Sequence, residues 1–329
     1  MRCLRLVLPI FLAIFPASAF STQERPVEPV SLLDGCLDNL AKLPWLETSF
    51  RHHVFARNRH YVSEGKHILA PESKASLYSC RVKVGNSPGE LRIHCDGQRI
   101  WRILENGPAR EVRTYTLAKL LEARNQIDKT LLGPELTAQL LRDDDAEHGF
   151  LGPRGILAEL KEKLVWSGVK PGQLADGRQV HVLEGEWSKA FLDRLAPPRK
   201  EGSSGPDLRE LWTKRTGFVR VPRRCRLQLD KETLFPRQIE WWGPAVPEGP
   251  DELLVVVEYE KPVLNPPASP EQQAKVFRPS DAEIEAAQEL DPVVILQTRE
   301  QNLLRLSRQE AESSRDQPIL DPTAPVRRP

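Results

Sequence analysis

From Trp45 to Leu104 the chain alternates apolar and polar residues along successive segments, each ending at a turn signal just before the next begins. A period of two commits such a stretch to half-buried antiparallel strands. The sharpest pair is Tyr78–Val84 facing Leu91–Cys95 across Asn86-Ser87-Pro88-Gly89, four strong turn formers. With that loop as the hairpin tip, Val84 faces Leu91, Val82 faces Ile93 and Cys80 faces Cys95. Arg81, Lys83, Arg92 and His94 then point to the other face, so one side of the sheet is apolar and the other charged. Such a meander predicts a sheet that holds something apolar rather than an active site.

The N-terminus bounds where this sheet works. Two early arginines, an apolar stretch from Leu6 to Phe15, and Ala17-Ser18-Ala19 before Phe20 describe a cleavable secretory signal over residues 1–19. No stretch reaches the ~20 apolar residues of a membrane-spanning helix, so no transmembrane anchor is expected. Cys3 lies in the leader and not at the first mature position, which argues against a lipid-anchored product. The expected location is periplasmic or secreted. With 47 basic against 46 acidic residues the chain lacks the positive excess that phosphate backbones select, and nucleic acid is not an expected partner.

Outside the leader, four cysteines remain: Cys36, Cys80, Cys95 and Cys225. An even count in an oxidising compartment favours disulfides. The hairpin register sets Cys80 opposite Cys95, within bridging distance, and two buried free thiols on the apolar face are the alternative. Cys36 and Cys225 could pair only by elimination.

Around the first meander the period changes. Leu32, Leu33, Cys36, Leu37 and Leu40 share one helical face before Pro44, and a helical pattern returns from Thr116 to Leu141 with a break at Gly133-Pro134. Two helices are expected to cross one face of the sheet there. The acidic run Asp143, Asp144, Asp145, Glu147 reads as a solvated loop, and a short helix follows near Ile156–Lys163. Strands resume at Leu164–Val169, Val180–Glu184, Cys225–Asp230, Phe235–Trp242 and Leu253–Tyr259. The stretch Trp187–Leu195 could be helical, and residues 196–207 read as a flexible Pro/Gly/Ser-rich insertion. Leu253 to Val257 is apolar at every position and predicts a strand covered on both faces. Beyond Pro262, a helix start is signalled at Ser280–Glu283 and an amphipathic helix at Val293–Ser307, whereas the proline-rich tail from Ser313 is expected to be disordered.

Catalytic vocabulary is sparse. His52 and His53 are adjacent on one strand and must face opposite ways, which leaves no metal-ligand spacing with His60 and His67. Ser203-Ser204-Gly205 lacks a strand-turn-helix context, and neither a phosphate-cradling loop nor a dinucleotide fingerprint occurs. No enzyme, metal or cofactor is expected. Adjacent Trp241 and Trp242 must also diverge, so one of them faces a cavity or an exposed surface. The candidate cavity-lining residues are Phe50, Trp101, Ile239 and Trp241.

The order helix, meander, crossing helices, second meander resembles the periplasmic lipoprotein-carrier (LolA/LolB-like) superfamily. The local words that carry the resemblance are Cys95-Asp96-Gly97-Gln98-Arg99-Ile100-Trp101, Trp45 to Phe55, Glu64 to Pro71, Asp230 to Glu240 and Val276-Phe277-Arg278-Pro279. They are most similar to an uncharacterised, planctomycete-type branch. The resemblance covers about Leu32 to Pro279. It implies an α+β fold, an open antiparallel half-barrel of about eleven strands whose concave face is covered by helices around a cavity for acyl chains. It gives domain limits of 20–279 for the half-barrel and 280–329 for a C-terminal helical extension and disordered tail. The chain departs from the carriers at Ala70, where an arginine precedes the proline that ends the second strand. The resulting expectation is a monomeric, non-enzymatic exported carrier or binder of a lipid or lipoprotein acyl chain. The rival is an interaction or sensor module that uses the same scaffold and its C-terminal segment to dock a cell-envelope protein.

Overall fold

The computed structural model describes residues 28–56, 59–84, 87–127, 152–191, 222–244, 250–267 and 269–313, with residues 137–138, 140–141, 144–145, 148 and 150 between them. The leader, the 196–207 insertion and the tail beyond Ser313 lie outside these.

Two antiparallel meanders make one open sheet. The first comprises β1 (Leu46–Ala56), β2 (Arg59–Ala70), β3 (Ala75–Val84), β4 (Ser87–Asp96), β5 (Arg99–Asn106) and β6 (Ala109–Thr116). The second comprises β7 (Leu164–Gln173), β8 (Gln179–Trp187), β9 (Arg224–Asp230), β10 (Pro236–Pro244) and β11 (Asp251–Tyr259). They join where β11 pairs with β1, and a short β12 (Gln288–Glu289) adds in parallel to β6, giving the order β12-β6-β5-β4-β3-β2-β1-β11-β10-β9-β8-β7. The ends of this series do not pair with each other, so the sheet is an open half-barrel and not a closed barrel. Pro171 sits on the edge strand β7, where a missing N–H can be tolerated.

The helices follow from the apolar spacing. In α1 (Pro29–Ala41), proline occupies the first turn, where its missing N–H would be unpaired in any residue, and Leu32, Leu33, Cys36 and Leu40 are buried. They pack with Leu157 and Leu160 of α3 (Gly152–Lys163) onto Leu183, Leu227, Leu229 and Ile239. Gly152 has φ +51°, and a Cβ there would lie 2.7 Å from His67 Cε1, so only glycine lets this helix start against β2. In α2 (Leu117–Asn125), the Thr116 hydroxyl caps the helix by accepting from Lys119 N–H at 3.2 Å. Leu120 and Ala123 pack on Ile93, Cys95, Ile100 and Tyr115.

The chain end encircles the sheet edge. α4 (Pro270–Phe277) sets Phe277 5.3 Å from the Trp45 ring, in a cluster with Ile68 and Ala75 on the face away from α1. The helix signalled at Ser280 is α5 (Asp281–Glu285), where the Glu283 carboxylate accepts from the Ser280 N–H and hydroxyl, both at 2.8 Å. The same buried carboxylate accepts from Arg92 Nη2 at 2.8 Å and from Arg110; against the cost of burial, the Ser280 hydrogen bonds and then Arg92 hold it down to a pKa of about 2. After β12, α6 (Pro292–Ser313) crosses to the helix-covered face and inserts Leu296 beside Leu120. The stretch after Pro279 thus contributes to both faces of the sheet.

The hairpin register differs from the sequence expectation. β3 and β4 pair Val82 with Gly89, Cys80 with Leu91, Tyr78 with Ile93 and Ser76 with Cys95, and the strands run on to Val84 and Ser87 with only Gly85-Asn86 between them. A two-residue connection of glycine and asparagine is a stronger hairpin signal than the longer loop assigned from sequence. Because the slip is by an even number of residues, each side chain keeps its expected face while its partner changes. The Cys80–Cys95 disulfide is therefore corrected: the two are not cross-strand partners, and Cys36, Cys80, Cys95 and Cys225 are all free thiols. Trp187, expected in a helix, ends β8.

Candidate functional site: an aromatic strip between two helix groups

Cross-strand partners share a face, so the register traces one side of the sheet from Leu104 through Leu91, Cys80, Gly65 and Phe50 to Tyr259, and from Val257 through Ile239 to Leu227 and Leu183. α1 and α3 cover its β7–β10 side, and α2 and α6 cover its β4–β6 side. Between them lie Phe50, Val54, Tyr78, Leu91, Val255, Val257 and Trp241, all half-buried.

This strip is ordered by aromatic contacts. The Phe50 ring lies flat over β2 and stacks on Tyr78 at 5.7 Å with an interplanar angle of 16°. Gly65 permits this, because a Cβ there would come 2.3 Å from Phe50 Cζ. At the far end Trp241 stacks on Trp187 at 5.3 Å, and the Trp187 indole N–H donates to the Pro222 carbonyl at 2.7 Å. Burial, followed by Cys80, raises the Tyr78 phenol, so this ring stays neutral at physiological pH.

The four residues selected from sequence fall in three environments. Phe50 and Trp241 lie in the strip. Ile239 shares their face but is 1% exposed, sealed beneath α1 and α3. Trp101 is on the opposite face, paired with His94 and Thr114, because Ile100 takes the helix-covered side. That placement corrects the grouping of Trp101 with the others. As the alternation requires, Trp242 diverges from Trp241: Arg224 and Arg226 stack on its ring, and its N–H donates to Glu240 Oε2 at 2.8 Å.

The expectation of a solvated acidic run is corrected at Asp144, while Asp143 and Glu147 lie outside the described residues. Asp144 is 1% exposed, and its Oδ2 accepts from Arg124 Nε at 2.8 Å and Nη2 at 2.5 Å, with Arg299 Nη1 3.4 Å from Oδ1. Next to it, buried His148 joins the Asp144 carbonyl to the Tyr115 hydroxyl. The sequence carries no local signal for this network, since Arg124, Asp144 and Arg299 come from separate elements. His53 and His60 stack on the face opposite His52, with Nδ1 and Nε2 2.9 Å apart. Among the described residues no group of three or more His, Cys, Asp or Glu side chains is placed to hold a metal ion, and no helix is long and apolar enough to cross a membrane.

No family model and no curated protein matches this chain. Solved structures do. The lipoprotein LppX of Mycobacterium tuberculosis aligns over 71% of this chain and 93% of its own, at 9% identity and TM-score 0.34. The MucA/MucB complex structure of Pseudomonas aeruginosa aligns over 77% and 61%, at 12% identity and TM-score 0.33. A LolA superfamily protein of Nitrosomonas europaea aligns over 77% of this chain and 98% of its own, at 9% identity and TM-score 0.26.

Proposed function

We propose that this protein is a non-enzymatic, exported carrier or binder of an apolar ligand, a lipid or lipoprotein acyl chain, held along the strip between the two helix groups. The observation that carries this reading is a run of half-buried aromatic and aliphatic side chains in the middle of a sheet whose flanks are fully packed. Burying an acyl chain there gains ~0.8 kcal/mol per methylene, so ten methylenes supply about 8 kcal/mol before association costs. The thiols Cys36 and Cys95 are pushed up to about 12 and about 11 by burial, which makes them poor nucleophiles and suits a binding role.

The test is tryptophan quenching. A brominated fatty acid added to the mature protein should quench emission saturably, and Phe50→Arg should abolish saturation while leaving the far-ultraviolet spectrum unchanged. Unsaturable quenching in the parent protein would defeat the proposal.

A further inference from the structure

At the β1–β11–β10 junction, roofed by the β7–β8 turn at Leu174, Ala175 and Asp176, a cavity of about 490 Å³ is lined by Phe50, Gly65 and Tyr259 of the strip and by residues of the opposite face. By register Arg51, Glu64, Gln238 and Glu258 belong to this face, since their neighbours Phe50, Gly65, Ile239 and Val257 take the other. Arg237 lines the cavity and is 8% exposed, yet its Nε and Nη1 have no hydrogen-bond partner. A buried guanidinium with unmet donors is costly, and an acceptor that reaches it recovers a charge-assisted hydrogen bond.

Most carboxylates around it are already engaged. Glu64 accepts from Arg51 Nε at 2.9 Å, Glu258 lies 3.7 Å from His53 Nε2, and Asp176 lies 3.1 Å from Arg178 Nε. Asp230 accepts from the N–H groups of Glu232 and Thr233 in its own turn. Glu260, which also lines the cavity, is exposed and close enough to Arg237 to act on it electrostatically, with no ion pair within 4 Å among the described residues. The wall therefore presents a buried guanidinium with two unmet donors, Arg237, and beside it an exposed carboxylate, Glu260.

We propose that this cavity binds a small zwitterion, with a phosphate or carboxylate group on Arg237 and an ammonium group on Glu260. A simple anion would face the excess of carboxylates on the wall, and a simple cation would leave Arg237 unmet. Both a free zwitterion and a zwitterionic lipid headgroup have this chemistry. The site does not depend on the acyl-chain proposal, because its polar contacts are Arg237 and Glu260 and its test uses soluble ligands, although Phe50 and Gly65 of the strip also line it.

The experiment is calorimetric titration of the full mature chain with O-phosphorylethanolamine, compared with inorganic phosphate and ethanolamine separately. Saturable binding of the zwitterion tighter than about 1 mM is expected, at least tenfold tighter than either part. Arg237→Gln should lose both the zwitterion and phosphate, and Glu260→Gln should lose only the preference for the zwitterion. If Arg237→Gln does not fold, Glu260→Gln and the three parent titrations decide the question. Phosphatidylethanolamine vesicles, competed by the soluble probe, identify a headgroup source; binding of the soluble probe alone identifies a free one. No saturable binding by about 10 mM, equal affinity for phosphate alone, or an unchanged preference in Glu260→Gln overturns the proposal.

Discussion

Gly65→Ala sets two effects against each other. On an ordinary strand, alanine is preferred to glycine by about 0.5–1 kcal/mol, so the substitution should stabilise. Here the new Cβ would sit 2.1 Å from the Ser79 carbonyl oxygen and 2.3 Å from Phe50 Cζ. The first neighbour is backbone of β3, so restoring van der Waals contact means parting β2 from β3 by more than an ångström. The second is the ring that stacks on Tyr78, so the ring must also leave. Overpacking costs about 1–3 kcal/mol, and losing an aromatic pair about 0.5–1.5 kcal/mol more, which exceeds the propensity gain. The net expectation is about 0.5–4 kcal/mol of destabilisation, read as a lower urea midpoint with an unchanged slope. Phe50→Ala in the same background should recover about 1 kcal/mol of the substitution's cost, because only the ring part of the overlap is relieved. A Gly65→Ala protein within 0.5 kcal/mol of the parent would refute the flat-ring geometry, and with it the shape of the strip.

Burial, with Arg92 nearby, lowers His94 to about 4, so the unfolded chain takes up a proton first as pH falls; this contribution is complete above pH 6.5, fades towards pH 4 and amounts to about 3 kcal/mol. His94→Gln should flatten that part of a stability-versus-pH curve, and an unchanged slope would contradict it. Glu283, depressed to about 2, acts lower: its contribution is present above pH 4.5 and is lost as pH falls through 2, so Glu283→Gln should remove the acid limb in that window. Truncation after Ser313 should leave the thermal midpoint within a few degrees, while truncation after Pro279 removes Glu283 and Leu296 and should abolish cooperative unfolding; equal stability would show the end to be dispensable. Alkylation of the denatured, unreduced mature protein should label all four cysteines, and a mass short by two labels would reveal a disulfide.

Much of the fold was legible in the sequence because it rests on period. Strands of the second meander, the α1 face and the Ser280 helix start all follow from local spacing, and the faces of β3 and β4 survived an error in their partners. Register was less legible: a proline-bearing turn competed with Gly85-Asn86, and only pairing along the whole of β3 and β4 decides between them. Of the candidate site, Phe50 and Trp241 could be chosen from alternation, but Trp101 could not, since a strand apolar on both faces gives no sign of which side meets the helices. Arg237 was invisible for a different reason. It is the residue that the β9–β10 pairing skips between Pro236 and Gln238, and such an irregularity is a matter of register that local spacing does not signal.

Native mass spectrometry of the mature protein purified from its own cell envelope, before and after solvent extraction, tests the central claim most directly. The account predicts a stoichiometric adduct with the mass of an acyl lipid or acylated peptide, removed by extraction and restored by added lipid. A bare polypeptide mass that takes up no added lipid would contradict it and favour a packed scaffold for a protein partner.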